Sequence, residues 1–476
     1  MFEWENVSLE RAFYRRLTPY QCQKLHNASL EILERTGVRF YDEEAVELLR
    51  RSGARLKDEN RVCIPAWQVE WALEMAPKQV VLYDQTGEPA ARLSGRQAYY
   101  GNGSDLLYII DHRTEKRRRA RLQDAVEGMK VLDSLSNIDF VMSFVLPDDV
   151  PAEKTELYQM RTMLEYTNKP VVYVTTNLAR TKAVVEMCEV LAGDADALSA
   201  RPFAICYTNV TAPLRHNVES VQKLLWLAER GLPIIYLPPT ATRGVTSPVP
   251  VAGYTALNNA GQLAGLVLSQ LKREGAPFLR CAYGGGTFDM RTMVGQLAAP
   301  EARGFHSDLA HWYGLPCFGI GGTSGSKTVD QQAALEAALT AILASLSGEQ
   351  LIHDVGYLDN GLTASLEQLV ICDQILGWVR NYLPGLEINE ETLALDVIHE
   401  VGTDGQYLDT AHTARHFRDD WYPSMLDRRG HDAWAADGGT TLRSRAKQQV
   451  DEILADYVPP PLNEGTRQAW ADIIAE

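Results

Sequence analysis

What the 476-residue chain lacks narrows its function before any motif is read. Seven cysteines, Cys22, Cys63, Cys188, Cys206, Cys281, Cys317 and Cys372, are scattered without a single Cys-x-x-Cys pair. That spacing offers no zinc-cluster signature and favours reduced thiols. No run of about 18 apolar residues occurs, and the opening MFEWENVSLERAFYRR has no uninterrupted apolar core, so neither a membrane span nor a signal peptide is expected. A cytoplasmic protein follows as the expectation. Basic charge is short too. A net charge of −16 argues against a nucleic-acid surface, since phosphate binding needs clustered Lys and Arg. The one basic run, Lys116 to Arg121 (KRRRAR), is short and reads as a solvated face, with an acidic partner as the alternative.

What is present is ordinary for a soluble globular chain, with 45% hydrophobic and 23% charged residues. Residues 1–95 read as a mainly helical segment: a helix opened by Thr18-Pro19 and stopped near Gly37, a second from Asp42 to Gly53, a third around Val69 to Leu73, then a strand from Val80 to Tyr83. From 96 to 380 the pattern changes to short apolar runs alternating with longer helical ones. The runs are DFVMSFVL (Asp139 to Leu146), PVVYVTT (Pro170 to Thr176), FAICYTNV (Phe203 to Val210), PIIYLP (Pro233 to Pro238), PFLRCAYG (Pro277 to Gly284), PCFGIG (Pro316 to Gly321) and QLIHDVG (Gln350 to Gly356). Their starts lie roughly 30 to 45 residues apart, the length of one strand-helix unit. With an eighth strand from Tyr99-Tyr100 or from Leu106 to Ile110, they predict an α/β fold of the (β/α)8 TIM barrel type. An open doubly wound sheet fits the same periodicity. Residues 381–476 read as a C-terminal helical extension, with helices at Ala411 to Arg418, Trp421 to Leu426, Leu442 to Tyr457 and Glu464 to Glu476.

In a barrel, the carboxyl ends of the strands form the reaction face. The stretch QLIHDVGYLDNG, Gln350 to Gly361, ends a strand in His353, Asp354 and Tyr357, the catalytic candidates being His353 and Asp354. Tyr207, Asn209, Tyr236, Tyr283, Phe288 and Gly321 to Thr323 are expected around them, joined from the first unit by Tyr99, Tyr100 and Asn102. Rich in aromatics and poor in carboxylates, this set suits a cation held by ring faces better than a metal cage. No metal site is expected. Loop packing is the competing explanation for each of these residues. GGTSGSKT (Gly321 to Thr328) misses a P-loop because Ser326 replaces the glycine before the lysine, so an anion held by loop N–H groups is favoured over a nucleotide. His412 and His416 stand four apart, but no acidic or cysteine ligand lies at partner spacing, so a surface or packing role is expected. His306 and His311, flanking Asp308, fail the same test.

The chain resembles the trimethylamine methyltransferase family, and in particular its members without pyrrolysine, which act on betaines. The likeness runs through LEILERTGVRFYDEEAVELLRRSGARL (Leu30 to Leu56), LAERGLPIIYLP (Leu227 to Pro238), FDMRTM (Phe288 to Met293), the long stretch from Tyr313 to Val370 that contains GIGGTSGSKTVDQQ, and HTARHFRDDWYP (His412 to Pro423). The resemblance implies a (β/α)8 barrel and methyl transfer from an amine to the Co(I) centre of cobalamin, a corrinoid carried by a separate protein. The chain has only standard residues, so the resemblance points away from trimethylamine and toward a quaternary amine such as glycine betaine. A quaternary ammonium departs as a neutral amine, so in-line attack needs no general acid; the protein must supply orientation and a dry, ring-lined pocket. For a substrate carboxylate, the expected donors are His353, Arg291 and the glycine-rich backbone of Gly319 to Thr323. No Asp-x-His-x-x-Gly segment of the kind that ligates cobalamin occurs, so the corrinoid is expected on the partner, docked over the mouth near Arg113 to Arg121 and the helices after His412. A homodimer is compatible with the long tail. A non-catalytic or hydrolytic barrel that binds small carboxylated amines is the alternative.

Overall fold

The computed structural model describes residues 11–238, 242–286, 288–295, 297–419 and 422–476. The opening ten residues and Trp421, both read above from sequence, lie outside them. Seven parallel strands form one curled sheet: β1 Tyr99–Asn102, β2 Val171–Val174, β3 Ala204–Asn209, β4 Ile234–Leu237, β5 Phe278–Cys281, β6 Cys317–Ile320 and β7 Leu351–Val355. Their order in space is β1, β7, β6, β5, β4, β3, β2. Residues 140–145 fill the gap between β1 and β2 through the isolated parallel bridges Gly101 to Phe140 and Val141 to Val171. The Val141 amide donates to Pro170 O and the Val172 amide to Val141 O, 2.9 Å each. Each of the eight staves is followed by a helix, from Leu122–Ser134 after the first to Leu366–Tyr382 after the last. This is the (β/α)8 barrel that the run spacing predicts. The Tyr108–Ile110 strand, the other candidate for an eighth stave, pairs instead with Arg117–Arg119 and Thr363–Ala364 in a separate small sheet.

The apolar runs have two jobs because parallel strands are covered on both faces. Residues of one parity, among them Met142, Val172, Ile205, Ile235, Phe318 and Leu351, fill the barrel interior as one cluster. Residues of the other parity, such as Val171, Cys206, Ile234 and Ile352, pack under the helices. An antiparallel hairpin, Val80–Tyr83 with Pro89–Leu93, adds Val80, Leu82, Ala91 and Leu93 to the interior cluster at the amino-terminal end. It stoppers the barrel floor.

The first segment carries Pro19–Glu31, Glu43–Arg51 and Ala66–Met75 as helices, with Thr18 and Asp42 capping the first two. A short sheet joins Val38–Phe40, Arg55–Leu56 and Arg61–Cys63 to Arg215–His216 from the barrel. After Tyr382, the helices Leu442–Asp456 and Glu464–Ala475 lie back on the barrel, burying Val450 and Trp470. The sequence suggested a helix from Trp421 to Leu426; the described part, 422–426, is non-helical, with Met425 buried and its amide donating to Gln374.

Candidate active site

β7 ends in an unusual turn. Asp354 adopts φ of 69° and Gly356 φ of 86°. A non-glycine residue in this region is strained, though Asp tolerates it better than most. The turn aims His353 and Asp354 together at the barrel mouth, while Val355 packs outward. His353 Nδ1 donates to Gly319 O at 2.5 Å, which leaves Nε2 as an acceptor. That nitrogen lies 3.3 Å from Asp354 Oδ1. Burial holds the imidazole neutral, with its pKa lowered to about 3, and pushes the Asp354 carboxyl up to about 8 despite the opposing effects of the Arg303 charge and the nearby Tyr357 hydroxyl. The two groups therefore meet as uncharged polar neighbours at the mouth.

Aromatic rings wall this pair. Phe318 stacks on His353 at 4.1 Å between centroids, and Tyr207 and Tyr283 lie 5.9 and 5.7 Å from it. The Tyr207 hydroxyl interacts with the side chains of Asn209 and Tyr283. Tyr357 donates its hydroxyl to Ser104 O. Gly103 makes this approach possible, since a Cβ there would sit 2.1 Å from Tyr357 Cζ and 2.3 Å from Asp354 Oδ1. A cavity of about 460 Å³ opens at the mouth between Asp105, Arg119, Glu156, Gln159 and the inward-facing Val174.

The sequence did not single out Arg303. It is wholly buried, donating from Nη2 to Leu297 O at 2.9 Å and from Nη1 to Ile320 O at 2.5 Å, while its Nε has no partner among the described residues. Its charge acts on His353, Asp354 and Glu349, whose own carboxyl burial lifts to about 7. Nothing in the text PEARGF marks this arginine as buried, because the loop that carries it follows no strand directly.

Several sequence candidates lie elsewhere. Tyr236 is level with Thr208 and Arg280 in the sheet, hence on the outer parity, and its hydroxyl bonds His216 Nδ1 at 2.8 Å under the helices. Tyr100 likewise points outward, to Ser345 at 2.8 Å. Tyr99 faces inward but at the floor, where its hydroxyl accepts from the Arg92 amide of the hairpin. Asn102 is spent on closure: its side chain bonds the amide and carbonyl of Met142 at 2.9 Å each. Phe288 and Arg291 belong to a hairpin over the rim, where Arg291 is 89% exposed and pairs with Asp289. The glycine-rich loop has no N–H groups to spare at three positions: Gly321 donates to His353 O, Thr323 to Thr340 Oγ1 and Gly325 to Glu336. Glu336 itself is thus the carboxylate this loop holds, and Gly322 serves close packing against Val355. In the basic run, Arg117 pairs with Asp359, and Arg118 with Asp111 and Asp124, so much of its charge is neutralised locally.

The site that remains is a buried neutral acid, a buried cation and three tyrosines at the mouth of a blind barrel. A family model described as "Trimethylamine methyltransferase (MTTB)" matches residues 1–476. The chain belongs to the trimethylamine methyltransferase family. Similar relatives include the trimethylamine methyltransferase MttB of Desulfitobacterium hafniense (strain DSM 10664 / DCB-2), 30% identical over 95% of this chain and 92% of the relative. The glycine betaine methyltransferase of Desulfitobacterium hafniense (strain Y51) is 31% identical over 94% of each. In architecture the chain is similar to the monomethylamine methyltransferase MtmB of Methanosarcina barkeri, with a TM-score of 0.51 at 11% identity over 94% of this chain and 89% of that one, a likeness of fold alone. As a member of the trimethylamine methyltransferase family, this chain is an enzyme of methyl transfer.

Proposed function

We propose that this enzyme removes a methyl group from a quaternary amine bearing a carboxylate, glycine betaine or a close relative, and passes it to the Co(I) centre of a corrinoid carried by a partner protein. The observation that carries the reading is the buried, neutral Asp354 beside the rings of the mouth, within the field of the buried Arg303. A zwitterion has a cation for the tyrosine faces and Asp354, and a carboxylate for the unpartnered Nε of Arg303. A simple trimethylamine has no group for the second. His353, held neutral with its Nδ1 committed to Gly319 O, is a poor general acid, which suits a donor whose leaving group is already neutral. Names of relatives support either amine class, and the pocket chemistry favours the betaine.

Incubating the protein with cob(I)alamin and a mixture of glycine betaine, proline betaine, carnitine, choline and trimethylamine tests this directly. Methylcobalamin appearing with loss of one methyl from a betaine is the expected result. Turnover of trimethylamine alone would overturn the substrate reading, and tight betaine binding without turnover by free or protein-bound corrinoid would favour a barrel that only binds carboxylated amines.

A further inference from the structure

The C-terminal extension contains a segment that the hydrophobic effect does not hold. Its helices Glu390–Leu393, Leu395–Val401 and Ala411–His416 bury no residue. Leu386, Ile388 and Leu408 are among its exposed apolar side chains. Helices of four to seven residues are far below the length at which a helix persists unaided, so some other interaction must fix them.

The chain brings one such interaction together across the segment. His412 and His416 share a helical face, with ring centroids 4.4 Å apart. Glu391, too distant in sequence to be recognised as a partner, folds back so that Oε1 lies 3.0 Å from His416 Nε2 and 3.9 Å from His412 Nε2. Ligand atoms of all three lie within 4.8 Å of one another. Four-coordinate zinc with bonds of about 2.0–2.1 Å sets its ligand atoms roughly 3.3–3.5 Å apart, inside the range seen here. Asp419 adds the supporting shell: its Oδ2 is 2.5 Å from His416 Nδ1, which fixes that ring and directs Nε2 inward.

We propose that Glu391, His412 and His416 bind one divalent transition-metal ion, zinc by ligand chemistry, which clips the Glu390–Leu393 helix to the Ala411–His416 helix and orders the segment between them. Two present contacts must yield to it. Arg415 Nη2 holds Glu391 Oε1 at 2.8 Å, and this side chain, 57% exposed, is free to swing into solvent. His412 Nε2 bonds Glu391 O at 3.0 Å and would exchange that carbonyl for the ion. Three protein ligands leave a fourth position for water.

The test uses the full chain dialysed against EDTA and titrated with Zn²⁺ by calorimetry, with metal content measured after gel filtration. The proposal expects one equivalent, protection of residues 384–410 from limited proteolysis, and tetrahedral visible bands on Co²⁺ substitution. His416→Gln and Glu391→Gln are expected to weaken binding at least tenfold, and Arg415→Ala to leave it equal or tighter. These positions are exposed or half-buried, so the variants should fold. Content well below one equivalent, unchanged affinity in the His412→Ala/His416→Ala variant, or Co²⁺ bands of thiolate ligation would overturn it; an ion-paired surface cluster alone would then explain the contacts.

Discussion

Affinity for the cationic donor should depend on pH through Asp354. In the free enzyme the buried carboxyl holds its proton up to about 8, well above its ordinary value of 3.8, because burial penalises the anion. A quaternary ammonium placed beside it favours the anion, so binding releases the proton. Below pH 8 each unit of acidity then costs about 1.4 kcal/mol of affinity. Between pH 8, where half the carboxyl is already ionised, and pH 6 that amounts to about 2.3 kcal/mol, a weakening of roughly 50-fold. His353 does not blur the curve, since its own titration is lowered to about 3. Calorimetry of glycine betaine at pH 6, 7 and 8, repeated in buffers of different ionisation enthalpy, reads both affinity and proton release. The expected result is close to one proton released at pH 6–7, and a flat profile in Asp354→Asn. A dissociation constant constant within twofold across this range, with no proton release, would refute the role given to Asp354.

Four further outcomes follow from the same geometry. Because the folded state holds the Asp354 proton more tightly than the unfolded chain, the stabilising contribution is complete below about pH 4 and is lost as pH rises to about 8; Asp354→Asn, tolerated at φ 69°, should therefore gain Tm over the parent increasingly from pH 5 to pH 8 in scanning calorimetry. Gly103→Ala drives a methyl into Tyr357 and Asp354, and is expected to cost about 1–3 kcal/mol in denaturant unfolding and to abolish betaine binding. Tyr283→Leu removes a ring face and should weaken glycine betaine by roughly 2- to 30-fold, from about 0.5–2 kcal/mol of cation–π attraction, while a carboxylate lacking the ammonium is unaffected. Arg303→Gln should weaken glycine betaine at least tenfold more than choline, which has no carboxylate, and equal losses for the two would remove Arg303 from substrate recognition.

The barrel was legible because its strands, covered on both faces, write themselves as uninterrupted apolar runs, and all seven runs became staves. Residues 140–145, though joined only by isolated bridges, still read as a strand because their burial is the same. Within the site, His353, Asp354, Tyr357, Tyr207 and Tyr283 were visible as polar or aromatic groups at strand ends. Tyr236 and Tyr100 looked equivalent, yet one step of register sends a side chain to the other face of a sheet, and register comes from the neighbouring strands. Arg303 and Glu391 escaped for a different reason. Each acts across a long loop closure, and a residue whose partners lie far along the chain leaves no local spacing to read.

Among the described residues, the hairpin that stoppers the floor leaves the mouth as the barrel's doorway. Donor, departing amine and methyl acceptor must then use the same opening in turn. A bulky corrinoid domain seated on the mouth would imprison whatever lies beneath it, so the amine has to be aboard before the partner arrives and can leave only after it withdraws. If the proposed corrinoid partner is the acceptor, saturating partner should inhibit by trapping empty enzyme, an order that the architecture would impose rather than any residue at the reacting centre.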